Sequence, residues 1–410
     1  MDVAPNHQSA GIIQFVPTVE RIVYGSGIVG RHLASEIERL NGDRVFLLAP
    51  RSLKSHPELE RIAGIVGKRL ADVFTSACEH VPLDAAIEAA AAAQRCDTDL
   101  IVAFGGGSVI DTAKALRTCL GAHLNTTRML SAFMAQPGSL PEALIPQISI
   151  PTTLSGAEYT RSFSATDFDA GVKRSYTASA VAGRVIIYDP AVTLATPMPL
   201  WLSSGVMAID HALEVLCASP AHTVGDAMKL ASLTALMTYL PRTRLAPDDL
   251  EARLHCQIGA WLADHSPMRT QSLGGPTPVL ASHALAYELA ALCRLPYALT
   301  AGLTLPACMR YAAGLDSAMV ARHADVARAL RLVEEGTSDT QASNFLIARL
   351  ENLIAELGLP NKFREVGISR PQLRLVARRF VERGASLVTG HSASEDQVIS
   401  LLEMEFAGSR

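Results

Sequence analysis

The chain has 410 residues and a formal net charge of −4, with 36 Lys and Arg against 40 Asp and Glu. This balance lacks the basic excess typical of proteins that bind nucleic acid or anionic membranes, so we expect neither partner. No apolar run approaches the ~20 residues that span a bilayer. At 410 residues the chain is long enough for two domains. The hydrophobic fraction of 49% predicts extensive burial and an oligomer interface, which we expect to join a homodimer.

The first half of the sequence alternates between strand and helix patterns. Strands are predicted at 13–24, 44–48, 70–74, 100–104, 146–150 and 173–189. Helices are predicted at 28–40, before about 68, at 83–95 and directly after the glycines that follow 104. This spacing predicts an open, mainly parallel sheet with helices on both faces, the α/β class of dinucleotide-binding domains.

The sequence changes character after Asp189-Pro190. Strand patterns almost vanish there, and helical periods run from about 192 to the C-terminus. We therefore expect residues 1–190 to form the α/β dinucleotide-binding domain and residues 191–410 to form an all-helical catalytic domain.

A glycine-rich turn follows the buried strand at 100–104. The turn consists of Gly105, Gly106 and Gly107. Without Cβ atoms the backbone can turn tightly and approach a ligand. Ser108 is predicted to cap the next helix, whose N-terminus would direct amides and a positive dipole end at an anion. We expect a pyrophosphate there, with Asp111 in the first helical turn and Lys114 either pairing with Asp111 or reaching the cofactor.

Two further features indicate the cellular compartment of the protein. The first residues, MDVAPNHQSAG, lack the basic start and apolar core of a secretory signal. The seven cysteines are scattered without a C-x-x-C pair, which is typical of a reducing compartment. We expect a cytoplasmic protein.

The string GGGSVIDTAKA at 105–115 resembles the signature of the iron-containing alcohol dehydrogenase and dehydroquinate-synthase-like superfamily. The resemblance extends over about residues 18–405. It implies an NAD(P)-dependent oxidoreductase with an α/β nucleotide domain and a helical domain, in which the glycine turn holds the dinucleotide pyrophosphate. By family position, Asp111, Thr152 and Thr153 are expected to contact ribose and phosphate. Gly25 to Gly27 is either a second glycine turn against the cofactor or a simple hairpin turn.

Three strings narrow the resemblance to the maleylacetate reductases. They are PTTLSGAEYT at 151–160, Glu79-His80-Val81-Pro82, and Gly259-Ala260-Trp261-Leu262-Ala263. This branch is regarded as metal-independent.

The metal positions of the superfamily are only partly retained. The metal-dependent branch uses an Asp and a His four residues apart, then two His separated by fourteen residues. Here Met207, His211, His283 and Tyr297 stand at those positions. A thioether is a poor ligand for Fe²⁺ or Zn²⁺, and two imidazoles alone make a weak site. Asp210 is rotated ~300° from Met207 on a helix and is expected to face elsewhere. We therefore expect no metal.

Without a metal, another group must polarise the substrate and supply a proton. His211 and His283 are the leading catalytic candidates because imidazole titrates near neutral pH. Tyr297 is a further acid candidate, and Tyr287 is expected on the same helix face as His283.

The substrate and the cofactor are expected to be anionic. Arg161, Lys173 and Arg269 are candidates to bind a substrate carboxylate. The second strand ends at Ala49-Pro50-Arg51-Ser52 without the acidic residue that binds a ribose 2′-hydroxyl. Arg51 is positioned to meet a 2′-phosphate, so both NADPH and NADH are expected to be compatible cofactors.

The leading hypothesis is a metal-independent NAD(P)H reductase of a small oxo-acid or unsaturated oxo-acid, resembling maleylacetate reductase. The alternatives are an alcohol dehydrogenase acting on another substrate, a dehydroquinate-synthase-like lyase with an altered metal site, and a non-catalytic nucleotide-binding protein. A loop at Gly274-Gly275-Pro276-Thr277-Pro278 leads toward His283 and is expected to lie over the cleft.

Overall fold

The computed structural model describes residues 11–15, 19–136, 138–218, 223–264, 268–272, 281–388 and 391–407. The strands of the first half are β1 (Gly11–Phe15), β2 (Arg21–Tyr24), β3 (Val45–Pro50), β4 (Leu70–Ala77), β5 (Leu100–Gly105), β6 (Gln147–Pro151), β7 (Ser162–Asp167), β8 (Val172–Thr177) and β9 (Val185–Tyr188). The helices among them are α1 (Ile28–Arg39), α2 (Pro57–Val66), α3 (Leu83–Arg95), α4 (Gly107–Gly121) and α5 (Thr127–Ala135).

Six of these strands form one parallel sheet in the order β2-β9-β6-β5-β3-β4. Strand β5 lies inside the sheet, and every residue of it is buried. A parallel strand covered by helices on both faces must be apolar on both faces, which explains the unbroken run LIVAF. The predicted α/β class with an open parallel sheet is confirmed.

The helices that follow β3 and β5 lie on opposite faces of the sheet. On one face, α1 and α2 pack together around Leu33 and Ile62. On the other, α3 and α4 pack together around Ala89 and Leu116. Since β3 and β5 are neighbours, a crevice opens between their carboxyl ends, which is where open α/β sheets bind ligands.

The single strand predicted over 173–189 is wrong. The structure divides it into β8, which pairs antiparallel with β7, and β9, which joins the parallel sheet. All four residues of β9 are buried, whereas β8 buries only Tyr176. The two halves have different surroundings, and the β7–β8 hairpin packs on α4 and α5 instead of extending the sheet.

The second half is mostly helical. Its helices are α6 (Met198–Ala218), α7 (Thr223–Leu245), α8 (Leu250–Asp264), α9 (Ala281–Cys293), α10 (Tyr297–Leu315), α11 (Ser317–Ala329), α12 (Asp339–Glu356), α13 (Arg370–Glu382) and α14 (Glu395–Ala407). Short strands interrupt them at β10 (Met268–Ser272), β11 (Ser386–Val388) and β12 (His391–Ser392). Strand β10 pairs antiparallel with β1 and β11 pairs with β12, so the expected all-helical character holds apart from these strands.

Helix α6 is the central helix of this half. Among the described segments it is the one helix whose length and composition would allow it to cross a membrane, over Met198–Cys217. This amends the expectation that no apolar stretch approaches bilayer length. Of its most apolar window, 78% is buried inside the protein, where α7, α8 and α10 pack around it. Its apolar composition therefore serves the core.

The turn at Gly25 to Gly27 connects β2 to α1. Gly27 precedes the helix with φ +67°, and Asp189, which follows the neighbouring strand β9, caps the helix. The Asp189 carboxylate accepts hydrogen bonds from the amides of Gly27 at 2.9 Å and Val29 at 3.1 Å. The positive end of α1 is thus occupied by a carboxylate of the protein, and the hairpin interpretation of this turn is wrong.

Replacing Asp189 by Ala should lower the free energy of unfolding by about 2 kcal/mol, because buried amides at the start of α1 lose their acceptor. Chemical denaturation followed by circular dichroism measures the change. Asp189→Asn keeps one side-chain carbonyl oxygen and should recover part of the loss. An unchanged midpoint in the Ala variant would show that this carboxylate does not hold α1 on the sheet.

Candidate active site

The glycine turn lies at the crevice between β3 and β5. Strand β5 ends at Gly105, Gly106 is the N-cap residue, and α4 begins at Gly107. The predicted capping role of Ser108 is therefore wrong: Ser108 lies inside the first turn, where its carbonyl accepts from the Thr112 hydroxyl at 2.7 Å. The first hydrogen bonds of α4 run from the Val109 and Ile110 amides to the Gly106 carbonyl at 3.0 and 3.2 Å. The amides of Gly107 and Ser108 precede these bonds at the helix start, where an anion site offers its donors.

Packing explains why the turn needs glycine. A Cβ at Gly105 would lie 2.6 Å from the Val109 side chain, and one at Gly107 would lie 2.7 Å from the Ser155 hydroxyl oxygen. A Cβ at Gly106 would approach the Thr153 methyl group to 3.0 Å. The turn is thus pressed against the segment that follows β6, which leaves its other side for a ligand.

Thr152 and Thr153 lie beside the glycine turn, as expected. The Thr152 amide donates to the Gly105 carbonyl at 3.0 Å, and both side chains are largely buried. Arg51 follows β3 on the other side of the crevice and is exposed. Its charge also lies near Cys78 at the end of β4, where it opposes the rise that burial causes in the pKa of that thiol.

Lys114 does not point toward the crevice. Its side chain is fully buried, and its ammonium donates to the carbonyls of Ala157, Thr160 and Ser162. The Asp111 carboxylate lies 4.0 Å away. Lys114 therefore fixes the loop after β6 to helix α4, and the pair with Asp111 is a secondary contact.

Asp111 also faces the β7–β8 hairpin. Its Oδ2 accepts from the Ser164 amide at 3.1 Å. Burial raises the pKa of this carboxyl, and the charges of Lys114 and Lys173 oppose the rise. The carboxylate expected to contact the ribose thus holds the hairpin against α4.

The three catalytic candidates come together from three helices of the second half. His211 lies on α6 and His283 on α9, with ring centroids 5.2 Å apart. The Tyr297 hydroxyl, at the start of α10, lies 2.7 Å from His283 Nδ1 and 2.8 Å from Nε2, so the tautomer decides which nitrogen it bonds. The three side chains named separately as candidates from the sequence therefore form one group in the structure.

The two replaced metal positions lie in one apolar cluster. Met207 is buried with Ala286, Ala298 and Ala301, and Tyr297 packs against this group. A thioether and a phenol ring therefore fill the space where the superfamily places a carboxylate and an imidazole.

The expectation that Asp210 faces elsewhere is wrong. Carboxylate oxygens of Asp210 and Glu214 and a ring nitrogen of His283 all lie within 4.8 Å of one another. Glu214 accepts from the His283 backbone amide at 2.8 Å, so it caps α9 and orients His283. Burial raises the pKa of Asp210 to about 7, and the Ser282 hydroxyl opposes the rise. Sequence reasoning missed Glu214, although its spacing of one turn from Asp210 was a usable signal.

Whether this chain can hold the superfamily's metal depends on the donor atoms that these side chains offer. His211 and His283 remain, but the other two donor positions carry a thioether and a phenol. Glu214 already accepts from a backbone amide, and Asp210 is a buried carboxyl with its pKa near 7. The residues present do not reproduce the four-donor site.

The substrate-anion candidates are dispersed. Lys173 on β8 places its ammonium 4.6 Å from the ring centroid of Tyr287 and 5.5 Å from that of Tyr297. Arg161 immediately precedes β7, at the opposite end of the hairpin from Lys173. Arg269 pairs with Gln14 in the β1–β10 ladder, and its side chain lies outside the described part, as does the loop at 274–278. Lys173 is thus the candidate seen to reach the His283–Tyr297 group.

Comparisons with known proteins agree with this architecture. The profile of the family described as "Iron-containing alcohol dehydrogenase" matches residues 19–190, and that of the "Fe-containing alcohol dehydrogenase family, C-terminal" matches residues 201–406. The chain belongs to the iron-containing alcohol dehydrogenase family. It is accordingly an NAD(P)-dependent oxidoreductase, and its cofactor is a nicotinamide adenine dinucleotide.

Individual relatives extend over nearly the whole enzyme. The maleylacetate reductase of Burkholderia cepacia is 30% identical over 396 residues, which cover 97% of this chain and 98% of that protein. The crystal structure of maleylacetate reductase from Agrobacterium tumefaciens has a TM-score of 0.74 at 26% identity and covers 97% and 99% of the two chains. A putative alcohol dehydrogenase from Ralstonia eutropha JMP134 has a TM-score of 0.77 at 29% identity, with coverage of 97% and 98%.

Arg51→Asp should shift the preference of the enzyme from NADPH toward NADH, because a 2′-phosphate is attracted by a guanidinium and repelled by a carboxylate. Such a charged contact is worth about 1–3 kcal/mol, so the ratio of dissociation constants should change by about 10-fold or more. Fluorescence titration with both nucleotides measures it, with Arg61→Asp on α2 as the matched control. Equal ratios in wild type and Arg51→Asp would place Arg51 away from the ribose.

Proposed function

We propose that this enzyme reduces a small, carboxylate-bearing oxo-acid or unsaturated oxo-acid with NADH or NADPH and without a metal ion. The observation that carries the proposal is the group of His211, His283 and Tyr297, assembled where two of the superfamily's metal donors have been replaced. Relatives named maleylacetate reductase support the substrate class.

The dinucleotide is proposed to bind at the crevice between β3 and β5. Its pyrophosphate would meet the α4 N-terminus at Gly106 and Gly107, flanked by Ser108 and Thr153. When bound, the reduced nicotinamide supplies a hydride to a substrate carbon. The protein must then supply one proton and stabilise the negative charge that develops on the substrate.

The pair of His211 and His283 is suited to supplying this proton. Two imidazoles with centroids 5.2 Å apart repel one another when both are cations, so we propose that one ring is neutral while the other holds the proton to be donated. The neutral ring can orient the other, and Glu214 fixes the backbone of His283. The hydrogen bond between His283 and Tyr297 gives a path by which one proton is delivered and replaced.

The remaining features of the proposal rest on the sequence. We propose a cytoplasmic homodimer from the composition and the scattered cysteines, all seven of which are free thiols. We also propose the division into 1–190 and 191–410, which the end of the parallel sheet at Tyr188 supports. A lyase of the dehydroquinate-synthase kind requires the metal that Met207 and Tyr297 disfavour.

Purified enzyme should oxidise NADH or NADPH in the presence of oxo-acids, and amide analogues without the carboxylate should react much more slowly.

His211→Ala and His283→Ala should each lower kcat by about 10²-fold or more, with a smaller effect on cofactor affinity. His255→Ala, on α8 against Tyr239, is the control and should retain activity. Wild-type turnover in both active-site variants would refute the assigned proton path.

Elemental analysis should find far less than one iron or zinc per chain in active enzyme, and dialysis against a chelator should leave kcat unchanged. The physical reason is that Met207 and Tyr297 replace a carboxylate and an imidazole donor of the superfamily's site. One tightly held metal per chain, with activity lost to the chelator and restored by the metal, would show that Asp210 and Glu214 complete a site after all.

A further inference from the structure

A cavity of about 20 Å³ lies in the helical half, between α6, α9, α10, α11 and strand β11. Every residue that lines it is buried, and most of the lining consists of leucine, alanine and methionine side chains. The catalytic candidates His211, His283 and Tyr297 are not among the lining residues. The cavity is therefore a feature separate from the candidate active site.

His323, on α11, is a polar residue in this lining. Its side chain is fully buried, and its Nδ1 lies 3.1 Å from the Ser343 hydroxyl of α12. Its Nε2 has no hydrogen-bond partner within the described part of the chain. Burial lowers the pKa of the ring to about 4, so near pH 7 the imidazole is neutral and has one N–H donor and one acceptor nitrogen. Whichever tautomer the contact with Ser343 selects, Nε2 still needs a donor or an acceptor.

We infer that the cavity is a binding site for one water molecule, held by a hydrogen bond to His323 Nε2. A cavity holds a water when it offers roughly 10–15 Å³ and about two to four polar partners. The volume meets the first requirement. The inference goes beyond the proposed reductase function and does not depend on it.

Other polar atoms of the lining supply the remaining partners. They are the Ser282 hydroxyl of α9 and the thiols of Cys217 on α6 and Cys308 on α10. A hydroxyl has one donor and two acceptor positions, so Ser282 can bond the water as well as Thr304, whose hydroxyl lies 3.0 Å away. The water would thus join α11, and through Ser343 also α12, to the wall that the other helices supply.

A dry cavity is disfavoured by the same imidazole. Cavities that stay dry are apolar throughout, whereas a buried nitrogen that loses its hydration and gains no partner destabilises the folded state. One water restores the missing hydrogen bond at Nε2 without any change in the surrounding packing.

A metal ion is a poorer occupant than water. Burial raises the pKa of Cys217 to about 12, which keeps its sulfur in the thiol form, and thiolate is the form that binds metals. Within the described residues, the group of three donor atoms found within 4.8 Å of one another belongs to Asp210, Glu214 and His283, none of which lines this cavity. The thiols and the imidazole therefore do not form a preassembled set of three ligands.

A high-resolution crystal structure of the full-length protein tests the site directly. Density for one oxygen atom should appear about 2.7–3.2 Å from His323 Nε2 and should be absent from His323→Leu. His255→Leu, on α8 outside the cavity, is the matched control and should keep the density. Anomalous data at the zinc and copper edges should show no signal there. Either a wild-type cavity without density or an anomalous peak inside it would overturn the inference.

A stability cycle tests the site in solution. Ala312 on α10 is buried and lines the cavity, so the added methyl groups of Ala312→Val should displace the water and leave Nε2 unpaired. The melting temperature should then fall by about 2 °C or more. In a dry cavity the same substitution would fill space and raise it.

The His323→Leu background separates displacement of the water from overpacking. Leucine has no polar atom that needs the water, so the penalty of Ala312→Val should largely disappear in this background. Overpacking alone would give equal penalties in both backgrounds. Equal penalties, or a higher melting temperature of Ala312→Val in the otherwise wild-type protein, would contradict the inference.

Discussion

The structure depends on the buried ammonium of Lys114. Removing this charge from water is unfavourable, and three backbone carbonyls from 157, 160 and 162 replace the lost solvent. The same bonds attach the loop after β6, and through it the β7–β8 hairpin, to helix α4. The helix whose N-terminus is proposed to bind the cofactor therefore also sets the position of Lys173. It likewise fixes the segment that contacts the helical half, where Tyr159 donates to the Ala260 carbonyl at 2.6 Å.

Much of the fold could be predicted because the parallel sheet leaves a local signature. Buried strands such as β5 need apolar residues on both faces, and α3 is found at the predicted 83–95. The hairpin could not be predicted in the same way. Its strand β8 shows little burial of its own, and its position depends on contacts with Asp111 and Thr166 that lie far away in sequence. The domain boundary near 190 stays a prediction.

The residues of the candidate site could be predicted where they stand at ligand positions of the family. They could not be predicted where tertiary contacts alone bring a side chain into the site. His211, His283 and Tyr297 lie together because the helices that carry the superfamily's ligand positions pack against one another. Asp210 was misjudged because rotation about one helix ignores the approach of α9, which brings His283 to it. Glu214 bonds to a backbone amide, a partner that no side-chain pattern reveals. Ser108 was misassigned because the helix begins two residues earlier than a serine cap would place it.

Met207 and Tyr297 share one apolar cluster, and this shared packing limits how the site could change by mutation. Changing Met207 alone to a carboxylate would bury a charge among alanines and a phenol ring, a costly intermediate. Changing Tyr297 alone would leave a gap and still lack the fourth donor. Acquiring the superfamily's four-donor set from this sequence would therefore require two coordinated substitutions, which no single mutation supplies.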